Sequence, residues 1–346
     1  MGDKLFSLFS QDLAIDLGTA NTLVFVRGKG IVIREPSVVA IDRKSREILA
    51  VGSEAKKMLG KTPASILAIR PLRSGVISDF EIARGMLTFF IQAVHHRSLL
   101  VPFLPRPIVV LGIPSGVTPV ERRAVTDAAE GAGARKAYLI EEPMAAAIGA
   151  GLTVEEPEGL MVVDIGGGTC EIAVISLGGV VVNKSLRVAG DEMDQEIINY
   201  AKFTHNILLG ERSAEEIKIS AGSVFSFDKE EEVRGFFRGR DLSSGLPKVV
   251  EISALELREA LKAPIKIIVE AIKDTLEETP PELVSDILRN GITLAGGASQ
   301  LTGFDQLIAK ETGMPTRLAK DPMTCVVRGC AAALDKASLL ERVKVS

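Results

Sequence analysis

At 346 residues the chain exceeds the usual single-domain range, and with 46% hydrophobic residues, 4% aromatics and no tryptophan its core must be mostly Val, Ile, Leu and Ala, as in an α/β fold. A net charge of −4 supplies no general basic field, which counts against nucleic acid as the main partner and makes any anion site a local one. The three cysteines, Cys170, Cys325 and Cys330, match no zinc or CxxC spacing and are expected as reduced thiols in a cytosol.

The first ten residues are apolar for a terminus. On a helix Met1, Leu5, Leu8 and Phe9 share one face with Phe6 beside it, which suggests an amphipathic anchor over 1–10. Phe6 stands where a myristoylation signal needs Ser or Thr, so that pattern fails. Leu13-Ala14-Ile15 leads into the turn Asp16-Leu17-Gly18-Thr19, and Thr22–Val26 leaves it, a strand, turn, strand unit. Ser37–Ile41 and Glu47–Val51 read as short strands and Ala55–Leu59 as a helix ended by Gly60, so residues 34–70 form a small α/β insertion. Ile82–Val94 has helical periodicity. Prolines keep the next apolar run from being a helix. Its Leu99, Leu100, Val101, Phe103 and Leu104 form an apolar loop, a candidate second contact with a membrane or a polymer neighbour. Ile108–Pro114 is a buried strand, and Pro119 with Glu121 opens a helix to about Gly131. Tyr138–Ile140 is a strand running into Glu141-Glu142-Pro143 and the small-residue helix Met144–Ile148.

The second half repeats the plan. Leu160–Val163 and Ile172–Ile175 flank the turn Asp164-Ile165-Gly166-Gly167-Gly168-Thr169, whose aspartate lies 148 residues after Asp16. Asp191 and Asp194 start an apolar-periodic helix, another spans about Glu215–Ser220, and residues 224–252 read as a charged insertion with short strands. Ala254–Glu278 is helical with Pro264 expected to kink or interrupt it. Gly291–Ser299 is a strand ending in Gly296-Gly297, followed by a helix over Phe304–Lys310 and a final small-residue helix over Cys325–Leu340. No run approaches the ~18 apolar residues of a membrane span, and no signal peptide with a cleavage site is present.

A Gly-rich turn exposes backbone N–H groups with no Cβ in the way, so phosphate oxygens can approach, and Thr hydroxyls add donors. One such turn alone is more often an ordinary Asx turn. Two in register point to a shared phosphate chain gripped from both sides. Together with Glu142-Pro143, Gly296-Gly297 and the small-residue helices, they resemble the actin, sugar kinase and heat-shock chaperone ATPase superfamily. The segments Ala14–Leu23, Arg70–Ile77, Ile140–Ile148 and Pro280–Ile287 are similar, almost letter for letter, to the MreB family of bacterial actins, which determine rod shape. Nearly the whole chain is covered. Cys170 departs from the family, which usually carries a second Thr there.

The resemblance implies an actin-like ATPase fold of two related halves, each with a central mixed sheet flanked by helices and one inserted subdomain. The halves would be 11–33, 71–149 and 320–346 (subdomain IA) with 34–70 inserted (IB), and 150–185 and 255–319 (IIA) with 186–254 inserted (IIB). Gly18, Thr19, Ala20 and Asn21 would contact the phosphates of ATP from one side, and Gly166, Gly167, Gly168 and Thr169 from the other. Glu142 would orient the water attacking the γ-phosphate, with Thr169 as a second contact. Glu215 and Lys218 match where the family contacts ribose and purine, although an i, i+3 salt bridge explains their spacing equally well. Gly296 and Gly297 would let adenine lie on the backbone. Asp16 and Asp164 would hold Mg²⁺ through its waters. The family also implies ATP-dependent homopolymers of paired protofilaments, peripheral on the cytoplasmic face of the membrane, and partners among the membrane proteins of the cell-elongation machinery. A plasmid- or organelle-positioning filament and a small-molecule kinase are the alternatives on the same fold.

Overall fold

The computed structural model describes residues 10–95, 106–226 and 232–345. The anchor over Leu5, Phe6, Leu8 and Phe9 and the apolar loop Leu99–Leu104 lie outside them.

Two five-stranded sheets carry the molecule. The first contains β1 (Leu13–Leu17), β2 (Asn21–Val26), β3 (Gly30–Pro36), β4 (Ile108–Ile113) and β5 (Lys136–Glu141), in the order β5-β4-β1-β2-β3. The second contains β6 (Leu160–Ile165), β7 (Cys170–Ser176), β8 (Gly179–Leu186), β9 (Ile292–Ala295) and β10 (Thr316–Leu318), in the order β8-β7-β6-β9-β10. Counted within its own half, each sheet therefore reads 3-2-1-4-5. In both, the first three strands pair antiparallel and the last two join in parallel. The duplication visible in two short turns thus extends to whole sheets.

Sequence dictates which strands lie inside. All of β6 and nearly all of β7 are buried, as continuous apolar runs must be when both faces are covered. The edge strand β8 alternates half-buried with exposed residues. Small three-stranded sheets stand apart in each half, one from Val39–Asp42, Ile48–Val51 and Ile66–Ile69, the other from Ile207–Leu208, Arg234–Asp241 and Pro247–Ser253. Strand β3 runs to Pro36, beyond residue 34, where the insertion was expected to begin.

Two helix expectations change. The helix Ala254–Glu278 is not interrupted: Pro264 is buried, and its packing against the core offsets the one N–H bond it cannot donate. The final helix divides at Lys336, whose backbone is extended, into Cys325–Asp335 and Ala337–Val343. By contrast, the helix Pro119–Gly131 begins where Pro119 and Glu121 place it. Thr118 and Glu121 form a reciprocal capping box there.

Between the sheets lies a core of small side chains, including Ala145, Ala146, Ala147, Cys330, Ala331 and Ala333, joined by Ala14 and Val110 from the first sheet and Val162 and Ala173 from the second. Two helices cross in it, Glu142–Gly149 and Cys325–Asp335. Their crossing is so close that a Cβ on Gly149 would lie 1.8 Å from the Cys325 carbonyl oxygen, and one on Gly329 1.8 Å from that of Ala145. Glycine at both points lets backbone meet backbone, and the helix carrying Glu142 is thereby fixed against both sheets.

Candidate functional site

The duplicated turns sit at the ends of the β1–β2 and β6–β7 hairpins, and each is braced by its own half. Ser37 donates its backbone N–H to the Ala20 carbonyl (3.0 Å) and its hydroxyl to the Gly18 carbonyl (2.6 Å), fixing the first turn. In the second, Gly166 donates to the Thr169 carbonyl (2.9 Å), while the carbonyls of Gly166 and Gly167 accept from Gly190 (3.1 Å) and Asp191 (2.7 Å) at the start of the helix Gly190–His205. The Gly75 N–H donates to Thr19 Oγ1 at 2.9 Å.

The turns face each other and touch. A Cβ on Gly167 would lie 2.5 Å from Ala20 Cβ, and one on Gly168 2.5 Å from Thr19 Oγ1. Neither glycine has a left-handed backbone. Both positions therefore need glycine for the approach of the opposite half rather than for dihedral freedom.

Behind this contact opens a cavity of about 530 Å³, lined from both halves. It gathers Asp16, Gly18, Thr19, Ala20, Asn21, Glu142, Asp164, Gly166, Gly167, Gly168, Thr169, Glu215, Lys218, Gly296 and Gly297. Every residue singled out for nucleotide, metal or water contact thus lies on one wall or another of a single space.

The floor carries an unbalanced load of carboxyl groups. Burial pushes Asp16 up to about 7, and burial with the neighbouring Asp16 does the same for Asp164. Glu142 is pushed well above the usual range by burial and then by Glu171, Asp16 and Asp164. Glu171 stands at about 7, raised by burial against the bonds it accepts from Ser185 and Ser115. No lysine or arginine contributes to these shifts, and Lys218, the lysine lining the cavity among the described residues, is paired with Asp194. Among the described residues no three ligating side chains converge for direct metal coordination. A Mg²⁺ ion here would accordingly be held through its waters and by the phosphates it accompanies, which fits the donors present.

At the mouth, Glu215 and Lys218 do not pair with each other. Glu215 meets Lys56 of the first half at 2.7 Å, and Lys218 is buried against Asp194 (2.8 Å) and the Gly190 carbonyl (2.6 Å). Asp191 meets Arg70 of the first half at 2.9 Å. Asp191, matched by resemblance to an acidic helix start near the nucleotide, therefore also joins the two halves, whereas Asp194 pairs within its own half. Cys170 is fully buried and its thiol is raised by burial, so it is an inert filler behind the turn.

The model of the MreB/Mbl protein family matches residues 10–342. The chain belongs to that family. It is similar to the cell shape-determining protein MreB of Escherichia coli (strain K12), 51% identical over 336 residues covering 96% of this chain and 95% of that protein. It is also similar to the cell shape-determining protein Mbl of Bacillus subtilis (strain 168), 47% identical over 339 residues, 98% of this chain and all of that protein. Among solved structures, MreB5 of Spiroplasma citri bound to AMPPNP superposes with a TM-score of 0.89 at 38% identity, over 95% of this chain and 97% of that one. The fold is thus the actin-like one expected.

Several members of this MreB/Mbl site escape a reading of the sequence. Ser37, Lys56 and Ser115 meet residues distant in the chain, and nothing local marks them, while Arg70 and Gly75 stood only within a segment that carried the resemblance, with no role assigned. Glu171 left a signal that could have been read: it is a lone carboxylate inside the apolar strand Cys170–Ser176.

Proposed function

We propose that the chain binds ATP with Mg²⁺ in this cavity, hydrolyses it, and polymerises into paired protofilaments on the cytoplasmic face of the membrane that organise cell-wall elongation and rod shape. What carries the reading is the meeting of two braced glycine turns, one from each half, over a cavity whose floor is rich in desolvated carboxyls. Such a grip suits a phosphate chain, and carboxyls whose ionised form burial disfavours suit an accompanying cation that would restore it. Gly18–Asn21 and Gly166–Thr169 hold the phosphates, Gly296 and Gly297 take the adenine, and Glu215 and Lys218 stand beside the ribose and purine. Asp16 and Asp164 would hold a Mg²⁺ ion through its waters, and such an ion would supply neutralising charge for the phosphates. Glu142 orients the attacking water, with Thr169 beside it. Positioning and charge stabilisation dominate phosphoryl transfer, so Glu142 need not be a strong base.

The relatives' role in cell shape, the apolar anchor over 1–10 and the loop 99–104 support a membrane-bound filament over a plasmid- or organelle-positioning one. Weak anchors repeated along a polymer give strong avidity. Subdomains IB (34–70) and IIB (186–254) flank the cleft and make the longitudinal contacts, and partners are the membrane proteins of the elongation machinery. The test of the chemistry is Glu142→Ala. Phosphate release falls by ~10² to 10⁴ while nucleotide binding is spared. Unchanged turnover removes Glu142 from the mechanism.

A further inference from the structure

Glu171 takes no part in the scheme above, although it is 1% exposed and lies opposite Asp164 in the hairpin register. Its two oxygens are divided between the halves. Oε1 accepts the Ser185 hydroxyl at 2.6 Å, from β8 of its own sheet. Oε2 accepts the backbone N–H of Ser115 at 3.1 Å, from the loop that leaves β4 in the other sheet. An apolar side chain would fill a buried strand position at less desolvation cost. What the carboxylate adds is a directional tie across the seam.

The tied loop borders the reacting groups. Ile113, two residues before Ser115, pairs in register with Glu141, and a Cβ on Gly112 would lie 3.5 Å from Glu142 Cγ. Pro114 and the Thr169 methyl crowd the same spot, since a Cβ on Gly75 would lie 2.5 Å from Pro114 Cγ and 2.9 Å from Thr169 Cγ2. Glu142 belongs to one half and Thr169 to the other, and this loop lies close to both.

We propose that Glu171 is a positioning residue for hydrolysis: by holding Ser115 N–H and the Ser185 hydroxyl at once, it keeps Glu142 of one half in register with Thr169 of the other. The inference rests on the ATPase reading of the cleft. It predicts a loss of rate without a loss of grip, because the phosphate turns have their own braces.

The experiment compares wild type, Glu171→Ala and Glu171→Gln by single-turnover phosphate release, with affinity from titration of a fluorescent ATP analogue. Glutamine can accept from Ser115 with its carbonyl and donate to Ser185 with its amide, so it preserves the tie without the charge. Misplacement of about 1 Å can cost ~10²-fold in rate, so Glu171→Ala is expected to slow hydrolysis at least ~10-fold. Its affinity should stay within about threefold, and Glu171→Gln should recover to within about threefold of the wild-type rate. Wild-type turnover in Glu171→Ala overturns the proposal. So does equal loss in both variants, which would make charge the operative property, and so does affinity falling in step with rate. Should Glu171→Ala fail to fold, Ser185→Ala removes one arm of the tie and is expected to slow hydrolysis about two- to fivefold at constant affinity; a wild-type rate there overturns the proposal. A wild-type chain that releases no phosphate overturns the ATPase reading itself, and this inference with it.

Discussion

Placing one methyl group between the two glycine turns tests whether their contact matters. In Gly168→Ala the new Cβ would stand 2.5 Å from Thr19 Oγ1 and 2.9 Å from both Thr19 Cβ and Cγ2. Rotating the Thr19 side chain brings no relief, because its Cβ does not move with rotation. Carbon atoms pack at about 3.5 to 4 Å, so the turns must part by roughly 0.5 to 1 Å. Thr19 also holds the Gly75 N–H, so the shift spreads into the first half. A displacement of that size costs up to ~10²-fold in rate when it separates reacting groups. Gly168→Ala should therefore slow phosphate release ~10- to 10²-fold and weaken nucleotide binding. The control is Gly179→Ala, outside the cavity, whose Cβ would meet only the Ser176 carbonyl oxygen, at 3.8 Å, and which should stay within about threefold of wild type. Single-turnover phosphate release and titration with a fluorescent ATP analogue read both effects. If the two variants behave alike, or Gly168→Ala keeps the wild-type rate, the contact between turns does not organise the site.

Other consequences follow from the charge of the floor and from the terminus. In the nucleotide- and metal-free protein Asp16 and Asp164 stand at about 7 in the folded state against an ordinary 3.8. Between about pH 4 and pH 7 the unfolded chain then binds fewer protons than the folded one, so stability falls as pH rises through that window and levels off above it. At about 1.4 kcal/mol per unit, the Asp164 contribution reaches up to ~4 kcal/mol. Urea midpoints at about pH 5 and pH 7.5 check the sign, and a higher midpoint at the higher pH contradicts it. Deleting residues 1–10 should weaken co-sedimentation with anionic liposomes more than ~10-fold, since each large apolar side chain buried contributes about 1.5 to 3 kcal/mol. Equal binding by the truncated protein removes the anchor.

Local chemistry made much of this legible. Apolar strands flanking Asp16 and Asp164 located both hairpins, and Glu142-Pro143 and Gly296-Gly297 marked strand ends that do open into the cavity. Less legible were features that depend on what meets what. The reason for glycine at 167 and 168 lies in Ala20 and Thr19, almost 150 residues away, and a turn signature cannot show that. Spacing left Glu215 open between a nucleotide contact and a salt bridge to Lys218, and its ion-pair partner is instead Lys56 of the other half. Pro264 was expected to kink or interrupt its helix because it cannot donate a backbone bond, and the helix runs on through it with the proline buried, a tertiary property that the local rule does not see. The break at Lys336 has no sequence signal that we can identify.

Pelleting and light scattering of the full chain, with and without ATP and Mg²⁺, separate a filament from an enzyme built on the same fold. A nucleotide-driven filament predicts scattering and a sedimentable polymer when ATP and Mg²⁺ are added, with phosphate release accompanying assembly. Phosphate release without sedimentable polymer, under any nucleotide, salt or liposome condition, would contradict it.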